Sequence, residues 1–256
     1  MVHFPFRVSG IFALFFCFSF LSLHAQLGKL IKKVDSSFTS RQNSVNPSLA
    51  PNNVEIQTGL KQALQKGLMD GIGLVSAKDG FLKNASIMIS FPPEAKRMET
   101  TLRELGLDHL CDDVIQSMNH AAEDACKKAG PIFLGALNQM SFKDATGILN
   151  GKDNAATEYF QKATTESLKK AFRPQVDSAL NRVNANLYWN KASTTYNKVP
   201  FVNKINTDLG DYVTTQSIVG LFFTIAQQEL KIRKDINART TPLMKKVFGF
   251  ADNQKH

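Results

Sequence analysis

The sequence lacks the short motifs that mark the familiar catalytic sites. It contains no Gly-x-Ser-x-Gly nucleophile motif, no Cys-x-x-Cys pair, no His-Glu-x-x-His zinc motif and no glycine-rich phosphate-binding loop. These absences remove the sequence signals of serine hydrolases, thiol redox proteins, zinc peptidases and P-loop nucleotide enzymes. The residues therefore favour a non-enzymatic protein, and we predict no catalytic residues and no cofactor.

Histidine is scarce, which limits metal chemistry. His120 and Glu123 lie three positions apart and would share one helical face, but only His109 and His256 remain as further histidines beyond the leader described below. A closed zinc site would need carboxylates to complete it. We predict no metal site.

Cysteine is scarce as well. Cys17 falls in the leader, whereas Cys111 and Cys126 lie 15 residues apart in one predicted helix. A helix rising about 1.5 Å per residue separates them by about 22 Å, far beyond disulfide reach. We predict two buried free thiols.

The first 25 residues form the predicted leader. Arg7 is their only formally charged side chain, and the apolar run Ile11–Leu21 follows it. This run has the length of a signal peptide and is shorter than the roughly 20 residues of a membrane span. Because Ala25 supplies a small residue before Gln26, we predict export to the periplasm or beyond, with cleavage near Ala25. An uncleaved anchor is the alternative.

Basic residues outnumber acidic ones, with 31 Lys and Arg against 22 Asp and Glu and a formal net charge of +9. The excess lies at the two ends, because residues 26–53 carry +3 and residues 191–256 carry +5, whereas residues 54–150 carry −2. An anionic envelope surface is a candidate partner for these ends, and solubility alone is the simpler explanation. We expect no nucleic-acid partner, and the sequence leaves the oligomeric state open.

Helical periodicity dominates the rest of the chain. We predict an amphipathic segment and polar linker over residues 26–52, a helical domain over 53–249 and a frayed tail over 250–256. The predicted fold is all-α, a single compact domain of about nine helices. The extended segments 87–91 and 199–202 could pair as a minimal two-stranded β-ribbon.

Two helices have unusual compositions. Gly59, Gly67 and Gly71 lie on one face of the helix predicted for 53–76, and each glycine costs about 1 kcal/mol against alanine there. They predict close approach by another backbone. The run Ser217–Ala226 is apolar nearly all round and predicts a centrally buried helix. Apolar stripes elsewhere, which include Leu105, Leu110 and Tyr188, are also predicted to face the core.

Helix-capping signals are dense in residues 140–177. Ser141 and Asp144 fit a capping box, Asp153 is predicted to cap the following helix, and Arg173-Pro174 is predicted to end it. Around this stretch we predict a polar cluster of candidate ligand-binding residues: Asn119, Glu123, Asn150, Asp153, Asn154, Thr157, Tyr159 and Arg173.

Within this cluster, Glu123 is the expected carboxylate partner of Arg173, provided that their helices pack together. Two interpretations remain open. The cluster is either a small polar ligand pocket, or a set of helix caps with a buried ion pair that fixes helix register.

Seven blocks, in this order and spacing, carry a family resemblance. The blocks are Gly59–Leu64, Asp79–Leu82, Asn119–Glu123, Gly147–Phe160, Phe172–Asp177, Tyr196–Phe201 and Ile232–Asp235. With them the chain resembles, over residues 55–249, a family of bacterial secreted helical proteins catalogued as domain of unknown function 4197. The resemblance implies a helical fold and an envelope location, but no activity. The chain departs from the family at His120, where arginine is expected, and at Met88–Phe91, where the family is more basic.

These observations favour an envelope protein, periplasmic or secreted, that acts as a non-enzymatic binding or scaffolding module. A peripheral membrane or lipid-associated protein is the first alternative, because of the basic ends and the amphipathic segment. An enzyme with an unrecognised carboxylate or tyrosine site is the second.

Overall fold

The computed structural model describes residues 50–198, 200–201 and 203–254. The predictions for the leader, the amphipathic segment and most of the linker therefore lie outside the described residues. The described part of the chain forms a compact helical domain with nine α-helices and no strand, which confirms the all-α prediction. The helices are α1 (Asn53–Ser76), α2 (Lys96–Glu104), α3 (Asp108–Cys126), α4 (Ala129–Gln139), α5 (Phe142–Leu149), α6 (Ala155–Arg182), α7 (Ala185–Tyr196), α8 (Leu209–Lys234) and α9 (Pro242–Asn253).

Four long helices form the centre of the domain. α1 packs on α8, α8 packs on α6, and α6 packs on α3, with α3 also touching α1 and α8. The shorter helices cover this centre. α4 and α5 lie on α1 and α6, α9 lies on α1, α2 lies on α3, and α7 lies on α6 and α8.

The glycine stripe of α1 lies where two other helices come close. A Cβ added at Gly59 would stand 2.7 Å from Val247 Cγ2 on α9. A Cβ at Gly67 would stand 3.2 Å from Ile232, and one at Gly71 would stand 3.2 Å from Ile225, both on α8. The predicted close approach is therefore present, and α8 and α9 share it.

α8 is central, but it is not buried on every side. Leu221 and Phe222 lie in the core, whereas Val219 and Phe223 are exposed. The prediction of a centrally buried helix does not hold for these two residues, because α1, α3 and α6 cover only part of the helix circumference.

α6 continues through Pro174, where we predicted that it ends. The prolyl ring removes one intrahelical hydrogen bond. Phe172, Val176 and Leu180 are all buried on either side of it, so tertiary packing stabilises both halves of one helix. α9 extends to Asn253, into the segment predicted as a frayed tail, since Ala251 is buried and Asp252 pairs with Arg239 at 2.8 Å.

No helix within the described ranges is both long enough and apolar enough to cross a membrane. Residues 87–91 do not form a strand. Residues 199 and 202 of the other proposed ribbon segment lie outside the described residues.

Candidate functional site

The eight predicted site residues occupy three separate places. Asn119 and Glu123 hold the segment that connects α1 to α2, and Arg173 lies midway along α6. The remaining five residues surround the turn between α5 and α6. None of the eight lines the large groove described below.

Glu123 is buried and holds the turn that follows α1. Its carboxylate accepts hydrogen bonds from the backbone amides of Asp79 at 3.2 Å, Phe81 at 3.1 Å and Leu82 at 3.4 Å. Asp79 has a φ of 62°, so the chain turns sharply there and directs these three amides at one carboxylate. The hydrogen-bonding capacity of the Glu123 carboxylate is therefore used by backbone groups of the fold.

Asn119 takes the place of a strand partner for the extended segment 87–91. Its Oδ1 accepts from the Ile89 amide at 2.9 Å, and its Nδ2 donates to the Ile89 carbonyl at 2.8 Å. The same Nδ2 donates to the Ile115 carbonyl at 2.7 Å. One buried side-chain amide therefore satisfies backbone groups that a β-ribbon would have satisfied.

Glu229 of α8 caps the N-terminus of α6. Its carboxylate accepts from the Ala156 amide at 2.9 Å, from the Thr157 amide at 2.8 Å and from the Thr157 hydroxyl at 2.7 Å. The cap role predicted for Asp153 therefore belongs to a residue more than seventy positions away. Asp153 instead pairs with Lys234 at 3.1 Å on the surface.

Arg233, one turn further along α8, binds the other side of the same turn. Its guanidinium donates to the carbonyls of Leu149 at 3.2 Å and Ile148 at 2.8 Å, at the C-terminus of α5. It also pairs with Glu229 at 2.8 Å, and both side chains are only 6% exposed. We call Glu229 and Arg233 the clasp.

The clasp is electrostatically matched to the two helix ends that it joins. The negative carboxylate meets the positive end of the α6 dipole, and the positive guanidinium meets the negative end of the α5 dipole. The two charges neutralise each other and are saturated with hydrogen bonds, which is the condition for burying an ion pair at low cost.

Arg173 does not pair with Glu123. Its guanidinium donates to Asp177 at 2.6 Å and to Asp208 at 2.9 Å. The hydrogen bond that Arg173 donates to Asp177 is the main reason that the pKa of Arg173 is raised, and the one it donates to Asp208 adds to the effect. Because Asp208 also accepts from the Asp211 amide as the N-cap of α8, Arg173 ties α6 to the start of α8.

The other residues at the α5–α6 turn are occupied locally. Asn150 ends α5, and its amide donates to the Thr146 carbonyl at 3.1 Å. The Asn154 side chain donates to Glu158 at 3.2 Å. Tyr159 packs edge-on against Phe160 with 5.3 Å between ring centroids, and burial raises the pKa of its phenol. The eight predicted residues therefore form three separate sets of contacts within the fold rather than one polar cluster.

A groove with a volume of about 1010 Å³ opens elsewhere, between α2, α3 and α7. We call it the apolar groove, after the side chains that dominate its lining: Phe91, Met98, Leu102, Leu110, Val114, Val183, Tyr188 and Trp189. Asp113, Gln116, Ser117 and His120 of α3 add polar groups to it. Sequence reasoning missed this site.

Trp189, the only tryptophan of the chain, lies in the lining of the groove. Its indole N–H donates to the Asn206 carbonyl at 2.9 Å, and its ring lies 6.0 Å from that of Phe91. The indole is therefore fixed in orientation and buried, so its fluorescence can report what enters the groove.

Several apolar side chains predicted to be buried are exposed around the groove. Tyr188 is 63% exposed, Leu110 is 42% exposed, and Leu105 at the end of α2 is 69% exposed. The prediction was wrong because α2 packs on α3 whereas α7 packs on α6 and α8, so the groove stays open between α3 and α7. The sequence signal that could have revealed the groove was an excess of apolar side chains on α2, α3 and α7 over what neighbouring helices can bury.

At one end of the groove, His120 Nε2 stands 3.3 Å from Asp79 Oδ1. Lys83 also binds Asp79, at 2.8 Å, and these two hydrogen bonds, that of Lys83 first, lower the pKa of Asp79. Cys111 and Cys126 are both free and buried, as predicted. Burial raises the pKa of both thiols.

The described residues hold no group of three or more His, Cys, Asp or Glu arranged to bind a metal ion. Together, the fold and the groove define an all-α domain with one ligand-sized apolar groove among the sites described.

The family model described as "Protein of unknown function (DUF4197)" matches residues 50–249. The chain belongs to this family, which confirms the resemblance. Comparison with curated proteins and with solved structures gives no match.

Proposed function

We propose that the protein is a non-enzymatic binding module of the bacterial envelope and that the apolar groove is its ligand site. The observation that carries the proposal is the volume of about 1010 Å³ lined mainly by aliphatic and aromatic side chains. Such sites generally bind apolar or amphipathic ligands, with a few polar groups setting their orientation.

The distribution of polar residues supports a binding role over catalysis. Glu123, Asn119, Glu229 and Arg233 are buried, and each uses its hydrogen-bonding capacity on backbone groups of the domain. A general acid or base needs a proton acceptor or donor directed at a substrate. The leader predicted for residues 1–25 supports the envelope location.

Fluorescence of Trp189 tests the proposal directly. We expect the neutral apolar probe N-phenyl-1-naphthylamine to bind saturably and to quench Trp189 by energy transfer. Tyr188→Gln and Leu110→Gln should weaken probe binding by about tenfold, since each removes an apolar contact of about 1–2 kcal/mol. Their melting temperatures should stay near that of the wild type, because both side chains are exposed.

Val219→Gln is the matched control. Val219 is 56% exposed and apolar, but it lies on α8 away from the groove lining. The proposal fails if the probe does not bind, or if Val219→Gln weakens binding as much as the two groove variants do.

A further inference from the structure

We infer that the apolar groove binds an amphipathic helix of a partner protein that carries Lys or Arg beside its apolar face. This inference rests on the proposed function and names the class of ligand. Its support comes from the size of the apolar surface and from the charge of the walls.

The apolar surface is larger than a small ligand needs. The groove volume of about 1010 Å³ stands at the upper limit of ordinary small-molecule sites, which span roughly 300–1,000 Å³. Apolar side chains also continue beyond the lining, with Leu105 69% exposed and Leu187 65% exposed on the flanking helices. A helix that places apolar side chains at successive turns would cover both the groove and these flanks.

The helices that border the groove carry a net charge opposite to that of the chain as a whole, and Asp113 is the one Asp, Glu, Lys or Arg in the groove lining. The chain has a formal net charge of +9, whereas α2, α3 and α7 together carry seven carboxylates and four Lys or Arg, for a net charge of −3. α3 alone has five carboxylates and no Lys or Arg. A cationic partner is therefore attracted to this face.

Asp113 is the carboxylate best placed to receive a basic side chain. On the same helix, Asp108 and Asp112 pair with Arg103, and Asp124 pairs with Lys127. Asp113 lines the groove and forms no ion pair within the described part of the chain. A Lys or Arg of a docked helix would supply the missing partner.

The same charges disfavour two other occupants. A fatty acid or an anionic phospholipid would bring a carboxylate or phosphate towards Asp113. A second copy seated symmetrically on this face would bring two acidic α3 helices together. Both arrangements place like charges near each other at an apolar surface of low dielectric constant.

The test uses the purified protein and two synthetic helical peptides of about 15 residues. Both peptides carry the same leucine stripe, flanked in one by lysine and in the other by glutamate. We expect the lysine peptide to bind about tenfold more tightly at low salt, with the difference shrinking as ionic strength rises. Trp189 fluorescence and calorimetry measure the affinities.

Two variants identify the contact. Asp113→Asn should weaken binding of the lysine peptide by about threefold and should make that affinity less dependent on ionic strength, since it removes one ion pair. Glu166→Gln removes an exposed carboxylate on α6 outside the groove lining, and it should change neither the affinity for the lysine peptide nor its salt dependence.

The outcomes separate this inference from the proposed function. If the naphthylamine probe binds but the lysine peptide does not, or if both peptides bind equally, the helix inference is overturned and the apolar site stands. Tighter binding of dodecanoate than of the lysine peptide would establish a lipid site instead. Self-association that Leu110→Gln abolishes would show that a second copy is the occupant. If neither the probe nor the peptides bind, both proposals fail.

Discussion

The clasp and the apolar groove are built in opposite ways. At the clasp, Glu229 and Arg233 each meet backbone groups and each other, so no charge is left to receive a ligand. At the groove, Tyr188 and Leu110 are exposed and Asp113 has no ion-pair partner among the described residues. A concentration of polar residues can therefore be structural, while the incompletely covered apolar surface is the feature that supports the proposed binding role.

The largest expected effect comes from removing the clasp carboxylate. Glu229→Ala leaves two α6 amides without an acceptor and Arg233 buried without its counter-ion, so we expect a loss of about 3–5 kcal/mol in the free energy of unfolding. Urea denaturation measures it. Glu158→Ala, which removes an exposed carboxylate paired with Lys152 at 2.6 Å, should cost about 1 kcal/mol or less. Equal losses in both variants would show that the clasp is not a special feature.

A smaller effect is expected at Asn119, which holds the segment that leads into the apolar groove. Asn119→Ala removes the partner of the Ile89 amide and carbonyl, and we expect it to cost about 2–3 kcal/mol in unfolding free energy. Because Phe91 belongs to the same segment and lines the groove, the affinity for the naphthylamine probe should fall too. Asn186→Ala, at a partly exposed asparagine of α7 whose side chain bonds only to Asn181, should leave stability nearly unchanged. Unaltered probe binding in Asn119→Ala would show that the groove does not depend on the hydrogen bonds of Asn119.

Packing on α1 provides the third comparison. Gly59→Ala places a Cβ 2.7 Å from Val247, and we expect a net loss of about 1–2 kcal/mol in unfolding free energy. Gly73→Ala, on the same helix, meets no atom within 4 Å and should stabilise the protein by up to about 1 kcal/mol through helix propensity. Thermal or urea unfolding measures both. Two changes of the same sign would contradict the close packing of α1 against α9.

Acid should loosen the groove wall formed by α2. Burial acts to raise the pKa of Glu99, but hydrogen bonds from Lys96 and Arg103 outweigh it, so that its pKa lies below the ordinary value of 4.5. A lowered carboxyl pKa contributes stability that is present above pH 4.5 and is lost as the pH falls through the folded value. We expect Glu99→Gln to flatten the decline of unfolding free energy below pH 4.5. If Glu99→Gln leaves the loss of stability below pH 4.5 unchanged, other carboxyl groups control that loss.

The smallest effect on stability is expected for a substitution on the flank of the groove. Leu187→Gln replaces an exposed leucine, so its unfolding free energy should stay within about 0.5 kcal/mol of the wild type. Binding of the lysine peptide should nevertheless weaken. A large loss of stability would mean that Leu187 belongs to the core rather than to a binding surface.

Local sequence patterns predicted most helices, because caps and apolar periods are local signals. α1 begins and ends where predicted, and Ser141 and Asp144 form the expected capping box. Pro174 misled the prediction, since the packing that carries α6 through it involves other helices. The signal peptide and the surface attachment through basic ends remain predictions.

The site residues were harder to predict for the same reason. The carboxylate that caps α6 lies 73 residues from the amide of Ala156, and no local pattern connects them. The apolar stripe of α3 likewise does not indicate which of its side chains another helix will cover. Glu123 and Arg173 were predicted to pair with each other. In the fold, Glu123 accepts from backbone amides and Arg173 donates to Asp177.

The clasp also sets an order of events along the chain. The C-terminus of α5 and the N-terminus of α6 form hydrogen bonds with charged side chains that are synthesised 72 to 85 positions later. A nascent chain that ends before α8 cannot close this junction, whatever helices it has already formed. Closing so long a loop is entropically demanding, and it completes the domain late. We therefore expect fragments that stop short of Glu229 to remain loosely assembled, and folding to become cooperative only when nearly the whole polypeptide has emerged.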